Sequence, residues 1–259
     1  MLIDQSSRRE FLGIRFELLS RDQVLARLSG VTDETPYAYV ATPNVDHIVR
    51  LHESHDSNRL LKPLYDGADL CLCDSRILRL VGKLRGVDLP LVPGSDLTAL
   101  MFDRIIRPGD RVAIVGGDPE LPTKLRAHYP HVEFIQHCPP MGLRTNAAAR
   151  RDAAGFIAES GARFSFIAVG SPQQEMIAAE AKKVVGAKGL ALCIGASLEF
   201  LTGQTKRAPR FLQRLSLEWA HRLLRDPKRL WRRYLVEGPR IFLLALRWGD
   251  PAHQRPAPE

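Results

Sequence analysis

The residues best placed to do chemistry stand directly after short apolar runs. Tyr37–Thr42 (YAYVAT) leads into Thr42-Pro43-Asn44, Asp69–Cys73 (DLCLC) into Asp74, and Arg111–Val115 (RVAIV) into Gly116-Gly117. Phe164–Val169 (FSFIAV) leads into Gly170-Ser171-Pro172 and Gln174, and Leu190–Ile194 (LALCI) into Gly195. A carboxylate such as Asp74 can take a proton from a hydroxyl. The short polar side chains of Thr42 and Asn44 can hydrogen-bond the hydroxyls or phosphate of a ligand. Gly116, Gly117, Gly170 and Gly195 can turn backbone amides and a helix start toward an anion. Each residue also has a structural reading. Asp74 can cap a helix, Thr42-Pro43-Asn44 can form a turn and cap, a glycine can serve only its turn, and Glu175 in a first helical turn complements the dipole.

If these residues handle a nucleotide diphosphate, its charge must be neutralised. No Asp-x-Asp follows a strand, and Asp66 and Asp69 are three apart. The expected counter-charges are therefore side-chain cations, with no Mg²⁺ or Mn²⁺ and no other cofactor. The supply is C-terminal: Arg207, Arg210, Arg214 and Arg222, then Arg229, Arg232 and Arg233. Spacings of three and four place the last three on one helical face, opposite Leu230, Trp231, Tyr234 and Leu235. From Gln204 to Trp248 there are twelve Lys or Arg against three Asp or Glu, an excess of nine, whereas the whole chain carries +8. The basic character thus belongs to one region, which needs an anionic partner or a solvated face. The histidines do not cluster as ligands. His52 and His55 are three apart on an expected helix, with no third ligand near in sequence. Cys71, Cys73, Cys138 and Cys193 read as reduced thiols, mostly buried, and Cys71-x-Cys73 is expected to face both sides of a strand, unsuited to a shared metal.

The elements that must position these residues follow a repeating order of strand, glycine, helix. Expected helices include Asn146–Ser160, Pro172–Val185 and Ser197–Leu201, and Phe11–Leu28 reads as a small strand followed by a helix. This order predicts an α/β fold: a Rossmann-like, mostly parallel sheet with helices on both faces and its ligand edge at the strand C-termini. Residues 1–204 form the expected core, 205–250 a basic helical appendage, and 251–259 a loose tail. Pro209–Leu224 reads as an amphipathic helix and Pro227 as the start of another. At 259 residues, 45% hydrophobic and 25% charged, the chain can bury a full core. Ile241–Leu246 is far shorter than the roughly 20 residues that span a bilayer. The N-terminus lacks the apolar stretch of a signal peptide, so the expected location is cytoplasmic. Lys228–Trp248, basic with aromatic flanks, suits an anionic membrane surface.

Two other classes compete. An oxidoreductase on a Rossmann sheet requires G-x-G-x-x-G after the first strand, and the chain offers only VGGDPE elsewhere. A nucleic-acid-binding protein would account for the basic C-terminus but not for the site-like strand ends.

The motifs, taken together and in order, resemble one family. Thr42-Pro-Asn44, Ala68-Asp69 with Asp74, and Gly94-Ser-Asp-Leu97 are followed by Ile167-Ala-Val-Gly-Ser-Pro-Gln-Gln-Glu175 and Cys193-Ile-Gly-Ala-Ser-Leu-Glu-Phe-Leu-Thr-Gly203. Arg207-Ala-Pro209, Leu217-Glu-Trp219 and Asp226-Pro-Lys-Arg-Leu-Trp-Arg-Arg-Tyr234 complete the series. From about Phe11 to Gly238 the chain resembles the WecG/TagA/CpsF family, glycosyltransferase family 26. The resemblance implies an inverting transfer from a UDP-sugar to an undecaprenyl-diphosphate-linked saccharide in cell-surface polysaccharide synthesis. It implies a peripheral protein on the inner face of the plasma membrane, with a C-terminal appendage that closes over the site and touches the membrane. It also makes Asp74 the base and places Thr42, Asn44 and Gln174 in the site. Asp-Gly of the family pattern is here Asp74-Ser75, and an Asp after the last strand is Glu199, which takes its place among the substrate-binding candidates. Pairing of copies into a homo-oligomer is left open, and no nucleic-acid partner is expected.

Overall fold

The computed structural model describes residues 8–204, 209, 212 and 218–249. After a short antiparallel hairpin, β1 (Arg8–Phe11) and β2 (Ile14–Glu17), and helix α1 (Arg21–Ser29), the chain enters a six-stranded sheet. Its strands are β3 (Ala38–Ala41), β4 (Leu70–Cys71), β5 (Arg111–Gly116), β6 (Glu133–His137), β7 (Phe164–Ala168) and β8 (Leu190–Cys193). They lie in the order β4-β3-β8-β7-β5-β6, and every pairing is parallel. The helices between them are α2 (Val45–Leu51), α3 (His55–Asp66), α4 (Arg76–Leu84), α5 (Gly94–Arg104), α6 (Leu121–His128), α7 (Ala147–Glu159) and α8 (Gln173–Ala181), and α9 (Ser197–Leu201) follows β8. The expected α/β architecture is the one observed.

Strands buried on both faces must be apolar on both, which is why the central ones read as unbroken runs. In β8, Ala191 and Cys193 enter one core cluster, with residues of α2, α3, α4, α7 and α8. Leu190 and Leu192 enter the other, with α1, α5, α6 and α9. This arrangement fixes where the ligand edge lies. The chain leaves β3 and β7 toward the first face, whereas from β8, between them, it leaves toward the second. Adjacent strands that feed opposite faces leave a crevice at their C-terminal ends.

Three expectations need correction. Cys71 and Cys73 share one cluster, because residues two apart on a strand point the same way; burial, which pushes the Cys73 thiol up to about 12, keeps them out of thiolate chemistry. His52 and His55 belong to different helices. His52 closes α2 and its Nε2 meets the Leu12 carbonyl at 3.0 Å, while His55 opens α3. The N-terminal strand is a hairpin, with Leu12 and Gly13 at φ 50° and 77° forming its turn.

The C-terminal part begins its described course with α10 (Glu218–Arg225), which matches the end of the expected helix Pro209–Leu224; residues 210, 211 and 213–217 of that helix lie outside the described residues. Helix α11 (Pro227–Trp231) starts at Pro227 as expected, capped by Asp226. The chain then winds as a π-helix over Arg232–Glu237, closed by the Gly238 amide on the Arg233 carbonyl at 2.8 Å. That winding turns the faces, so the expected apolar side does not pack as a unit. Leu230 is buried, whereas Trp231 and Leu235 are 51% and 55% exposed. Helix α12 (Arg240–Arg247) returns to the core between α2 and α4, burying Ile241 and Ala245, and Trp248 meets Phe11 edge-on at 5.0 Å.

Candidate active site

The strand-end residues form a connected set. Thr42, 5% exposed, donates its hydroxyl to the Cys193 carbonyl at 3.1 Å and so ties the end of β3 to that of β8. The Asp74 amide donates to the Pro43 carbonyl at 3.1 Å and ties β4 to β3. An Asp74 carboxylate oxygen, Oδ1, accepts the Gly94 amide at 3.1 Å, at the first residue of α5. Helix α5 has no side-chain cap, so an ionised Asp74 meets its positive end. The cap of α4 is Ser75, whose hydroxyl accepts the Leu78 amide, so Asp74 does not perform the capping role open to it in sequence. Gly94 packs directly on Thr42: a Cβ there would stand 3.0 Å from the Thr42 Oγ1.

Asn44 is the N-cap of α2. Its Oδ1 accepts the Asp46 amide at 3.0 Å, and the His47 Nδ1 accepts the Asn44 amide in return. Burial pushes His47 down to about 4, which suits an acceptor ring. Asn44→Ala is expected to lower stability by about 1 kcal/mol. The urea midpoint checks this, and an unchanged midpoint would show that the cap contributes nothing.

Across the crevice, Gln174 is buried and bridges two turns. Its Oε1 accepts the Gly195 amide at 2.9 Å, and its Nε2 donates to Glu175 Oε1 at 2.8 Å. Gly170 begins this turn at φ 78°, and its carbonyl accepts the Gln174 amide. One strand further on, Gly116 is needed for packing, since a Cβ at its φ of 82° would lie 2.4 Å from Val169. Gly117 follows at the exposed end of β5, and Gln136 holds the Gly116 and Asp118 carbonyls there. Glu199 lies in the first turn of α9, the helix that leaves β8.

Of the C-terminal arginines, Arg233 reaches this edge. It pairs at 3.3 Å with Asp46, two residues past Asn44. Arg229 and Arg232 pair with Asp226 and Glu237 of their own segment and are about three-quarters exposed. Arg207, Arg210 and Arg214 lie outside the described residues, as does the side chain of Arg222. The sequence alone singles out neither Asp46 nor Arg50 as a site residue. The structure joins them: Arg50 donates to Asp46 at 2.7 Å and to the Ser171 carbonyl at 2.8 Å, linking α2 to the β7 turn. The Asp46/Arg50 spacing of four was the available signal.

Gln204 is bonded to Asp118 beyond β5, and Arg233 is paired with Asp46 beside α2. The intervening basic segment therefore starts and finishes at the edge that carries the strand-end residues. Among the described residues no three His, Cys, Asp or Glu side chains gather as a metal set, and no helix is long and apolar enough to cross a membrane.

The family model for the WecG/TagA/CpsF glycosyl transferases matches residues 9–254. The chain belongs to this family. The WecG/TagA/CpsF assignment makes it a glycosyltransferase and decides against the oxidoreductase and nucleic-acid readings. A glycosyltransferase needs a sugar donor and an acceptor, and the crevice between the ends of β3, β8 and β7 is where an α/β sheet binds such ligands.

Proposed function

We propose that this glycosyltransferase moves a sugar, with inversion, from a UDP-sugar to an undecaprenyl-diphosphate-linked saccharide at the inner face of the plasma membrane. The observation that carries the reading is the position of Asp74 at the ligand edge, held between the chain after Thr42 and the start of α5. Asp74 takes the proton from the acceptor hydroxyl as its oxygen attacks the anomeric carbon. The bond from that carbon to the diphosphate breaks, and UDP leaves with the electron pair. Asn44 and Glu199 face the sugars, Thr42 and Gln174 hold the strand ends behind them, and the glycine turns contact the diphosphate. The cations of 205–250, Arg207, Arg222, Arg229, Arg232 and Arg233 among them, neutralise the leaving group as this appendage closes. That closure excludes water from the site and strengthens these charge contacts. The Asp46–Arg233 pair supports this closure, because it brings the appendage to the start of α2.

The test is release of UDP from a UDP-sugar by the full chain, with and without a lipid-diphosphate-linked acceptor. Acceptor-dependent release is expected, and it is expected to survive excess EDTA. Failure of the chain to bind UDP in a titration would end the donor assignment. Activity lost with chelator and restored by Mg²⁺ or Mn²⁺ would transfer the diphosphate from the arginines to a metal.

A further inference from the structure

Three acidic side chains lie buried among the described residues, and two are neutralised by cations: Glu17 pairs with Arg8 and Asp69 with Lys182. Glu175 is different. It is 0% exposed, its Oε1 accepts the Gln174 side-chain amide at 2.8 Å, and it forms no ion pair with any described residue. Burial raises its affinity for a proton; hydrogen bonds from Gln174, its own backbone and Ser171, and the charge of Arg50, oppose this but do not reverse it.

The geometry gives this carboxyl a task. A side-chain amide has one oxygen and one NH₂ group, so its orientation is set by what faces each end. The Gly195 amide needs an acceptor, and Gln174 Oε1 supplies it at 2.9 Å. The NH₂ end is then turned toward the core, where Glu175 Oε1 receives it. Without that acceptor a buried N–H pair would be left unsatisfied, or the amide would flip and present NH₂ to the Gly195 amide. The Gly195 turn relies on this link. It stands at φ 54°, and nothing lies within 4 Å of where a Cβ would be, so no side chain packs against that side of the turn.

We propose that Glu175 is a positioning residue of the transferase site: its carboxyl fixes the Gln174 amide, whose oxygen holds the Gly195 turn at the substrate-binding edge. This rests on the reading above that Gln174 and Gly195 line that edge.

Two substitutions separate positioning from packing. Glu175→Gln keeps an oxygen acceptor in the same place, whereas Glu175→Leu fills the space and removes it. Exchange of the Gly195 amide, read by NMR on the full chain, reports the link without any need for activity. In Glu175→Gln this amide is expected to stay protected and kcat to remain within about threefold of wild type. In Glu175→Leu the chain is expected to fold, Gly195 exchange to quicken at least about tenfold, and kcat to fall by about 10², with donor KM little changed, since small misplacements in a site cost that much. A folded Glu175→Leu with a protected Gly195 amide and wild-type kcat overturns the proposal. So does a Glu175→Leu chain that cannot fold, or a Glu175→Gln chain as impaired as Glu175→Leu. A wild-type chain that transfers no sugar overturns the site reading instead, and the exchange result then decides this inference alone.

Discussion

Asp74→Asn is expected to lower turnover by about 10²–10⁴ while leaving UDP binding close to wild type, the usual loss when a general base is removed. Asparagine has the same shape, and its side-chain oxygen can still accept the Gly94 amide, so the junction between β4, Pro43 and α5 is preserved. What disappears is an oxygen that can hold the acceptor's proton. The alternative in sequence was a cap on the helix after DLCLC, and Ser75 fills that role. A loss of turnover in Asp74→Asn therefore cannot be assigned to uncapping α4. The check is kcat with the lipid-linked acceptor beside a UDP titration of the same protein. Turnover within a factor of a few of wild type would reduce Asp74 to a brace for the start of α5.

The strand ends were legible because of a physical necessity. A strand buried on both faces must be apolar throughout, and the first polar or glycine residue after it marks the sheet edge. Asp74, Gly170 and Gly195 could be found in that way. The bonds that organise the edge were not legible, because they join residues distant in the chain. Thr42 meets Cys193, and Asp74 meets Gly94, across elements whose proximity only the sheet order reveals. Gly94 shows the gap well: it appears in sequence as part of a motif, and its reason, a close approach to Thr42 and an amide for Asp74, is tertiary. The C-terminal region was misread in one respect. Helical spacing places Arg229, Arg232 and Arg233 on one face only if the winding stays regular, and the π turn from Arg232 breaks that condition. Arg233 consequently turns to Asp46 while Arg229 and Arg232 remain exposed.

Replacing Phe242, Leu243 and Leu246 together by Glu is expected to abolish binding to anionic vesicles while the protein stays folded. Truncation after Asp226 would not isolate this effect, because it would also remove Ile241, Ala245 and Trp248 from the core and uncover Phe11. The structure therefore divides α12 in two. Its inner side packs on α2 and α4, and its outer side presents Phe242, Leu243 and Leu246 at 49%, 57% and 70% exposure. Arg240 and Arg247 flank these side chains, and Trp231 and Leu235 add further exposed apolar surface nearby in sequence. An apolar side ringed by cations suits the interface of an anionic leaflet, where each Lys or Arg adds about 1 kcal/mol. Seating three half-exposed side chains of this size contributes about 3 kcal/mol more, so their loss lowers vesicle partitioning by about 10² before any repulsion from the added carboxylates. Thermal melting should change little, since none of the three is buried. Transfer to a short-chain, detergent-soluble acceptor should also persist, while transfer to an acceptor embedded in vesicles should collapse. Vesicle binding at wild-type strength would show that α12 serves the core alone and that the membrane contact lies elsewhere. Collapse with both acceptors in a folded protein would mean that this face is coupled to the active site itself.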